Sequence, residues 1–427
     1  MKLAVIGGGS TYTPELIDGI LLRRDRLPIT EIVLVDPNEA RVKIVGEFAD
    51  RMIKHAQGQI KITWSANLDE AVHGADFVIS QFRVGSQAAR HRDELLGREF
   101  GIIGQETVGI GGFAKALRTI PEALKIAETI RKSAPEALFI NFTNPAGLIT
   151  ETLKRHASDI KSVGLCNVPW NVRKEIGNVL HQPSESIELD YIGLNHLSWV
   201  RGVKIGGQDF TENSFQGFKG LTGKHGADHA EPAWEPEIVE RIHVIPNYYL
   251  MYYLETQDWI EYQKSYPTRA SRVAEIEEEL LKKYADPHLV EKPAELMERG
   301  GAYYSDSAAE LMADIATDSG AVHIVNTNID GAVPGMANDV VMELPAVITK
   351  NGARAIPTGA ISGEIAPLVS RVKLFELLTI EAAINGDEAR AKEALLSNPL
   401  GPTEEMVDKA WSRLKEVNQG LLGKFNG

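Results

Sequence analysis

Cysteine is nearly absent from this sequence, since Cys166 is the single cysteine among 427 residues. A disulfide within the chain is therefore excluded, and a lone thiol in a chain of this size fits a reducing compartment. Long apolar runs are also missing, because none approaches the ~18 residues of a membrane span. The apolar N-terminal segment runs directly into glycines and has no signal-peptide pattern. We expect a cytoplasmic protein with no membrane partner.

Basic charge is in deficit. The chain has 45 Lys and Arg against 59 Asp and Glu, which gives a net charge of −14. Nucleic-acid binding needs concentrated basic charge, so we expect no nucleic-acid partner, and any bound anion must meet a few placed arginines. The hydrophobic fraction of 43% and the charged fraction of 24% are those of a globular protein. The length suits two to three packed units.

In the first half of the chain, short β-rich runs alternate with helical patterns. Strands are predicted at residues 2–6, 31–35, 61–64, 77–82, 138–142 and 162–166, and helices at 15–22 and 117–132. This alternation is typical of βαβ units, and apolar strands indicate a sheet covered on both faces. The first half therefore predicts an α/β fold with a Rossmann-like, doubly wound parallel sheet.

From about Glu188 the pattern changes. An antiparallel hairpin formed by Tyr191–Val200 and Arg201–Ile205 is predicted to turn near Gly206-Gly207. Helices are expected at 272–284 and 374–391, and a strand at 340–348 before an Asn-Gly turn. We expect a Rossmann-like domain over residues 1–200 and an α+β C-terminal domain over 201–427. No long linker separates them, so they are expected to interlock at an approximate boundary.

A glycine cluster follows the first predicted strand and precedes a helix. Such a turn lets the backbone approach a pyrophosphate at a helix N-terminus, and the candidate cofactor-binding residues are Gly7, Gly8, Gly9, Ser10 and Thr11. Tyr12 stands where the usual fingerprint has its third glycine. Asp36 ends the second strand, where a carboxylate accepts hydrogen bonds from ribose hydroxyls and repels a 2′-phosphate. This order predicts NAD rather than NADP; an ordinary tight turn and a capping aspartate remain the alternatives.

Cys166 ends a predicted strand, and His196 follows it by thirty positions. Taken alone, the cysteine is typical of a buried small apolar residue, and the histidine of a core position. Together, a thiolate and an imidazole suit a divalent transition metal, and two protein ligands leave positions open for substrate oxygens. His225 and His229 are predicted to lie in a solvated loop. The acidic run at 275–279 is predicted to form a solvated helix face.

Several motifs are spread over nearly the whole chain: Gly7–Ser10 with Tyr12–Leu16, Ile103–Thr107, Asn141–Gly147, Cys166–Pro169, Asn195-His196, Arg299–Tyr304 and Asn398–Pro402. Together they resemble the motifs of glycoside hydrolase family 4. The resemblance is closest to members that act on 6-phospho-β-glucosides. The resemblance implies hydrolysis with NAD and a divalent metal, an exception to the usual pair of carboxylates.

The implied reaction begins when NAD⁺ takes a hydride from sugar C3, which acidifies the proton on C2. A base removes that proton while the metal holds the C2 and C3 oxygens. The C1 leaving group is eliminated, water adds, and the bound NADH returns the hydride. The net reaction is hydrolysis with a recycled cofactor. The expected substrates are phosphorylated disaccharides, such as cellobiose 6-phosphate, or aryl glucosides.

The resemblance also assigns roles. Cys166 and His196 match the metal ligands, and manganese is the usual metal. Tyr249 matches the catalytic base, and Glu106 matches an acidic position thought to raise its basicity. The matching substrate-binding positions are Arg90, Asn144, Asn167 and Arg269, the last suited to the 6-phosphate through its forked guanidinium. Asn167 stands where α-specific members have Asp, which favours β-glycosides and leaves the leaving-group acid unassigned.

Other readings remain open. The base is alternatively another tyrosine of the same cluster, which contains Tyr248, Tyr252 and Tyr253. The protein is alternatively an NAD-dependent 2-hydroxy acid dehydrogenase, a family 4 member with α- or galacto-specificity, or a non-catalytic sensor of NAD or sugar phosphate. The family resemblance suggests a homodimer or homotetramer.

Overall fold

A computed structural model describes residues 1–220, 232–299, 304–361, 363 and 365–425. His225 and His229 lie outside the described residues. The strands are β1 (Lys2–Ile6), β2 (Glu31–Val35), β3 (Lys61–Ser65), β4 (Phe77–Ser80), β5 (Leu138–Asn141), β6 (Ser162–Gly164), β7 (Ile187–Leu194), β8 (Leu197–Ile205), β9 (Gln208–Asp209), β10 (Ile245–Pro246), β11 (Val322–Asn328), β12 (Val341–Thr349) and β13 (Gly352–Ala355).

The helices fill most of the remaining chain. They are α1 (Thr13–Leu22), α2 (Glu39–His55), α3 (Leu68–Val72), α4 (Ser86–Glu99), α5 (Gly109–Ser133), α6 (Ala146–His156), α7 (Val168–Leu180), α8 (Thr211–Lys219), α9 (Pro236–Ile242), α10 (Met251–Leu254), α11 (Thr256–Ser265), α12 (Arg269–Tyr284), α13 (Tyr304–Thr317), α14 (Ile365–Asn385), α15 (Glu388–Ser397) and α16 (Glu404–Val417). None of these helices is both long enough and apolar enough to cross a membrane.

One mixed sheet runs through the molecule. Strands β3-β2-β1-β4-β5-β6 lie side by side and parallel, which is the strand order of a dinucleotide-binding fold. The sheet then continues with β11, β12, β7, β8 and β10, all paired antiparallel. The predicted Rossmann-like α/β fold is confirmed, and strands from both predicted halves share this sheet.

The two faces of the sheet are covered by separate apolar clusters. Along β1, Leu3 and Val5 enter one cluster, while Ala4 and Ile6 enter the other. Successive strand residues point to opposite faces, so a strand that is apolar throughout needs helices on both sides. Helix α5 supplies Phe113 to the second cluster. The doubly wound arrangement follows from this apolar pattern.

The predicted position of the hairpin turn is wrong. Strand β8 runs unbroken from Leu197 to Ile205, and the chain reverses instead at Asn195-His196, between β7 and β8. The Gly206-Gly207 pair does form a turn with positive φ angles, but it joins β8 to the two-residue β9. The glycine pair was the stronger turn signal in the sequence, and it belongs to the shorter of two successive hairpins, in which β9 has only two residues. The correction places His196 at the hairpin apex.

Two further corrections concern helices. The single helix expected at 374–391 is two helices, α14 and α15, because Gly386 has a φ of +72° and Asp387 caps the second. The acidic run at 275–279 is not wholly solvated, because Glu277 is buried and accepts hydrogen bonds from Arg41 and Arg299. Helix periodicity alternates these side chains between water and the protein interior.

Candidate active site

A cavity of about 1570 Å³ opens at the carboxyl ends of the parallel strands. The crevice at this edge is where open α/β sheets bind their ligands. Residues of both halves line it, among them Gly7 after β1, Asn144 after β5, Asn167 after β6, and Tyr249 from the segment before α10. The chain's candidate site residues are therefore concentrated on one cavity.

The glycine turn after β1 has a conformation that requires glycine. Gly7 has a φ of +85°, and a Cβ added there would lie 2.7 Å from the Phe82 Cα. The amides of Gly7 and Gly8 both donate to the Val35 carbonyl at 2.8 Å, which fixes the turn against β2. The Gly9 amide donates to Asp36 Oδ2 at 3.2 Å. A backbone cradle and a carboxylate at the end of β2 fit a dinucleotide.

The predicted cofactor residues divide into two groups. Gly7, Ser10 and Asp36 line the cavity, whereas Gly8, Gly9 and Thr11 are buried behind it. Thr11 is fully buried, and its carbonyl accepts a hydrogen bond from the Tyr284 hydroxyl at 2.8 Å. These three residues shape the turn rather than its surface. The alternative prediction for Asp36 was a capping aspartate. Its Oδ1 accepts the Asn38 amide at 2.9 Å, so it also stabilises the turn before α2.

Tyr12, in the place of the missing third glycine, packs beneath an arginine. The Arg299 guanidinium lies 4.3 Å from the centre of the Tyr12 ring, and both residues line the cavity. Glu277 Oε1 accepts the Arg299 Nε at 2.9 Å, and Glu277 Oε2 accepts the Arg41 Nη2 at 3.0 Å. Arg41 in turn donates to the Gly9 carbonyl at 2.7 Å. The buried carboxylate therefore holds two cations beside the glycine turn.

Cys166 and His196 meet at the same edge of the sheet. The Cys166 Sγ lies 3.6 Å from the His196 Nε2, and both side chains are buried. Two ligands bound to one first-row ion such as zinc, at bond lengths of ~2.3 and ~2.1 Å, stand roughly 3.1–3.6 Å apart. The pair fits a shared metal ion. Among the described residues, no group of three or more His, Cys, Asp or Glu side chains is arranged to hold a metal.

The surroundings of His196 favour a neutral imidazole. Burial, with a smaller contribution from Lys115, lowers the pKa of His196 to about 3. Its Nδ1 lies 3.0 Å from the Thr107 Oγ1, so protonation at Nδ1 leaves the Nε2 lone pair facing Cys166. Burial and the charge of Glu343 raise the pKa of Cys166 to about 12. Without a cation the cysteine is thus a thiol, and a bound metal ion favours its thiolate.

Tyr249 lies directly against His196. The two rings are stacked with centroids 3.7 Å apart and planes 7° apart. Burial, followed by Cys166 and Glu106, raises the pKa of Tyr249, while Arg90 and Arg269 act in the opposite direction. Tyr248 and Tyr252 also line the cavity, with ring centroids 6.0 and 5.9 Å from that of Tyr249.

Glu106 is surrounded by cations. Arg83 bonds to it at both oxygens, Lys115 Nζ lies 2.7 Å from Oε2, and Arg90 Nε lies 3.2 Å from Oε1. Burial alone would raise the pKa of Glu106, but these three cations outweigh it and hold the pKa well below its usual range. Burial and Arg83 lower the pKa of Lys115 to about 7. Glu106 is a fixed anion within a net positive cluster.

The four candidate substrate-binding residues all line the cavity. Arg90 is held by Glu94, whose Oε1 accepts its Nε at 2.8 Å. Asn144 Oδ1 accepts the Ala146 amide at 3.3 Å, and Asn167 is the residue that precedes α7. Arg269 begins α12, is exposed, and donates from Nη2 to the Glu298 carbonyl at 3.0 Å.

Sequence reasoning missed four charged residues around the site: Arg83, Lys115, Glu277 and Glu343. A detectable signal existed for two of them. Lys115 stands in an otherwise apolar stretch of α5, and Glu343 stands in the apolar run of β12. Fully buried Lys and Glu side chains are rare unless they are paired, so a charge at such a position points to a specific role.

Comparisons with known proteins match this chain to one family along most of its length. The model for the family 4 glycosyl hydrolases matches residues 2–182, and the model for the C-terminal domain of the same family matches residues 191–401. A probable 6-phospho-beta-glucosidase of Bacillus subtilis is 38% identical over 434 residues, which cover 100% of this chain and 98% of the relative.

A solved 6-phospho-beta-glucosidase of Thermotoga maritima, described with manganese, NAD⁺ and glucose-6-phosphate, has a TM-score of 0.92 and 37% identity over 98% of both chains. A phospho-alpha-glucosidase of Clostridium acetobutylicum is less similar, with 26% identity over 100% of this chain and 99% of the relative. The family models together match most of the sequence, and the relatives are matched over nearly their full length. The chain belongs to family 4 of the glycosyl hydrolases.

Proposed function

We propose that this protein hydrolyses 6-phospho-β-glucosides and uses NAD and Mn²⁺ as cofactors. The observation that carries the proposal is the convergence of Cys166 and His196 at 3.6 Å, with the Tyr249 ring stacked on the imidazole. Tyr249 and Asn167, the residue after Cys166, line the same cavity as Gly7 and Asp36, and the Cys166–His196 pair is buried behind them. A metal site and a dinucleotide cradle on one cavity suit a glycosidase that works through a temporary oxidation.

Separate groups of residues bind the cofactor and the metal. Gly7, Ser10 and Asp36 hold NAD, and Cys166 and His196 hold the metal. When bound, NAD accepts and returns a hydride, and the metal supplies Lewis-acid stabilisation of negative charge on sugar oxygens. The other proposed site residues bind the substrate, orient it or move protons.

Tyr249 is the proposed base, with its phenolate oxygen accepting the C2 proton. Burial opposes the phenolate, and the nearby charges of Arg90 and Arg269 favour it. Glu106 acts through these cations, because its carboxylate holds Arg83, Arg90 and Lys115 together. The positive cluster stabilises negative charge that develops on the sugar. This role differs from a carboxylate that takes the phenol proton directly.

Four residues are proposed to orient the substrate. Arg269 is exposed and lines the cavity, where its guanidinium binds the 6-phosphate, while Arg90 and Asn144 contact the sugar. Asn167 has no carboxylic proton to donate, so we propose β- rather than α-specificity. The higher identity to the 6-phospho-beta-glucosidase than to the phospho-alpha-glucosidase supports this choice. Phosphorylated disaccharides and aryl glucosides both belong to the proposed substrate class.

Three broader features complete the proposal. The first is the division into an NAD-binding domain over 1–200 and an α+β catalytic domain over 201–427, interlocked through the shared sheet. The second is a cytoplasmic location, which the need to keep the Cys166 thiol reduced supports. The third is a homodimer or homotetramer, for which the family resemblance is the support and which light scattering on the purified protein tests.

An assay of cofactor dependence tests the proposed activity. Purified protein should cleave an aryl 6-phospho-β-glucoside only when NAD⁺, Mn²⁺ and a reductant are all present, and the matching α-glucoside should be a poor substrate. The C2 proton should exchange with solvent deuterium during turnover. Cleavage that survives both NAD⁺ removal and chelation contradicts the proposal. A lasting rise in NADH absorbance equal to substrate consumed would instead support the 2-hydroxy acid dehydrogenase alternative with a hydroxy acid substrate.

A further inference from the structure

Glu343 on β12 is a fully buried carboxylate, with 0% of its surface exposed. In the described part of the chain, no Lys, Arg or His nitrogen forms an ion pair with it. An isolated buried charge is strongly destabilising unless a counter-charge or a full set of hydrogen bonds compensates it. Such a residue therefore calls for a physical explanation, and it does not line the cavity where substrate binds.

Neutral donors surround both carboxylate oxygens. Oε1 accepts the amide groups of Asn195 and Asn326, each at 3.1 Å. Oε2 accepts the Tyr191 hydroxyl at 2.8 Å and lies 3.4 Å from the Ser198 hydroxyl, which is itself 2.5 Å from the Tyr191 hydroxyl. Both asparagine amides and the Tyr191 hydroxyl donate to the two oxygens, and an ionised carboxylate accepts all three bonds. Burial raises the pKa of Glu343, and these hydrogen bonds act in the opposite direction and favour the charged form.

These hydrogen bonds lead to all three central site residues. Asn195 immediately precedes His196. Asn326 pairs in register with Gly164, two residues before Cys166. Ser198 accepts the Asn247 amide at 2.7 Å, and Asn247 Oδ1 accepts the backbone amide of Tyr249 at 2.6 Å. One carboxylate thus ties the hairpin apex, the end of β6 and the segment before α10 to a common point.

Glycines allow the network to pack this closely. A Cβ on Gly147 would lie 2.8 Å from the Asn195 Cβ, and a Cβ on Gly164 would lie 2.8 Å from the Asn326 Cβ. A residue larger than glycine at position 147 would collide with Asn195, and one at position 164 would collide with Asn326. The two amides that reach Glu343 are therefore held by packing as well as by hydrogen bonds.

We propose that Glu343 is the positioning residue of the metal site: its negative charge and its hydrogen bonds set the separation of Cys166 and His196 and raise the affinity of that pair for a divalent cation. A divalent ion bound by one thiolate and one neutral imidazole retains one positive charge. The buried carboxylate nearby supplies the balancing negative charge. The inference rests on the proposed metal site.

The test measures Mn²⁺ binding by the metal-free, full-length chain, using the electron paramagnetic resonance signal of free Mn²⁺. We expect Glu343→Gln to raise the Mn²⁺ Kd by about 10- to 100-fold, as for outer-shell partners of metal ligands. Asn326→Ala, which keeps the charge and removes one link to Glu343, should weaken binding in the same direction and carries the test if Glu343→Gln does not fold. The NAD⁺ Kd should stay near the wild-type value in both variants.

Tyr191→Phe is the matched control, because it removes one donor to Glu343 and leaves the charge and both asparagine links in place. It should change the Mn²⁺ Kd least. A role in folding alone would lower Tm while leaving the Mn²⁺ Kd of the folded protein unchanged, and that result in Glu343→Gln overturns the inference. If Cys166→Ser binds Mn²⁺ as tightly as the wild type, the proposed metal site itself fails, whatever Glu343 does.

Discussion

The glycine turn after β1 and the Cys166–His196 pair, which is buried behind the cavity residues Asn167 and Tyr249, are built in different ways. The turn takes its shape from residues within about thirty-five positions of one another, through backbone conformation and bonds to the adjacent β2. The pair depends on Glu343, Asn326 and Asn247, which come from distant parts of the chain. The backbone bonds of the first region join neighbouring segments and only its supports, such as Phe82 and Glu277, are distant, whereas the second region is assembled wholly from distant parts of the chain.

The two regions should therefore respond differently to substitution, and the largest effect is expected at Tyr249. Tyr249→Phe removes the proposed base while keeping the ring that stacks on His196. We expect kcat to fall by about 10²- to 10⁴-fold, the usual contribution of a general base, with the Mn²⁺ and NAD⁺ affinities near the wild-type values. Steady-state kinetics and solvent exchange at C2 provide the measurement.

Tyr248→Phe and Tyr252→Phe are the controls for that experiment, because both hydroxyls belong to residues that line the cavity near Tyr249. Their losses should be smaller. A full loss in Tyr248→Phe, with activity retained in Tyr249→Phe, would move the proposed base to the neighbouring position.

A substitution in the glycine turn should act on the cofactor and leave the metal site unaffected. Gly7→Ala puts a Cβ 2.7 Å from the Phe82 Cα at a φ of +85°, so the turn has to shift. A strain of about 1–3 kcal/mol corresponds to an NAD⁺ Kd raised by about 5- to 150-fold. Titration calorimetry with NAD⁺ and with Mn²⁺ distinguishes the two effects.

Gly74→Ala is the matched control, since Gly74 also has a positive φ, +65°, but an added Cβ there has no neighbour within 4 Å. It should leave the NAD⁺ Kd unchanged. Equal losses of NAD⁺ and Mn²⁺ affinity in Gly7→Ala would show that the two regions are not independent.

The same contrast explains what could be predicted from the sequence. The parallel strands and the glycine turn follow from apolar runs and from glycines close together in the chain, and β1 and β2 match their predicted bounds. The meeting of Cys166 and His196 could be expected only from the family resemblance. The hairpin turn was misplaced because Gly206-Gly207 gives a stronger local signal than Asn195-His196. The buried partners Lys115 and Glu343 are fixed by tertiary contacts, which local patterns do not record.

An effect on stability rather than on ligand binding is expected from Glu277, which supports the glycine turn indirectly through Arg41. Burial alone would raise the pKa of Glu277, but Arg299 and Arg41 outweigh it and lower the pKa to about 2. A depressed pKa means that the carboxylate stabilises the fold above its unfolded-state pKa and that this contribution is lost as the pH falls toward 2. Glu277→Gln should therefore lower the free energy of unfolding by about 1–3 kcal/mol at neutral pH.

Urea unfolding of wild type and Glu277→Gln across acidic pH measures this difference, which should shrink steadily below about pH 4.5, because protonation removes the wild-type charge. Glu278→Gln on the same helix is the control, since Glu278 is exposed and its pairing with Lys282 is at the surface; its effect should stay within about 0.5 kcal/mol. A difference between wild type and Glu277→Gln that is constant with pH would contradict the role of the carboxylate charge. The turn would then depend on the shape of the Glu277 side chain alone, and its contrast with the charge-dependent metal pair would become sharper.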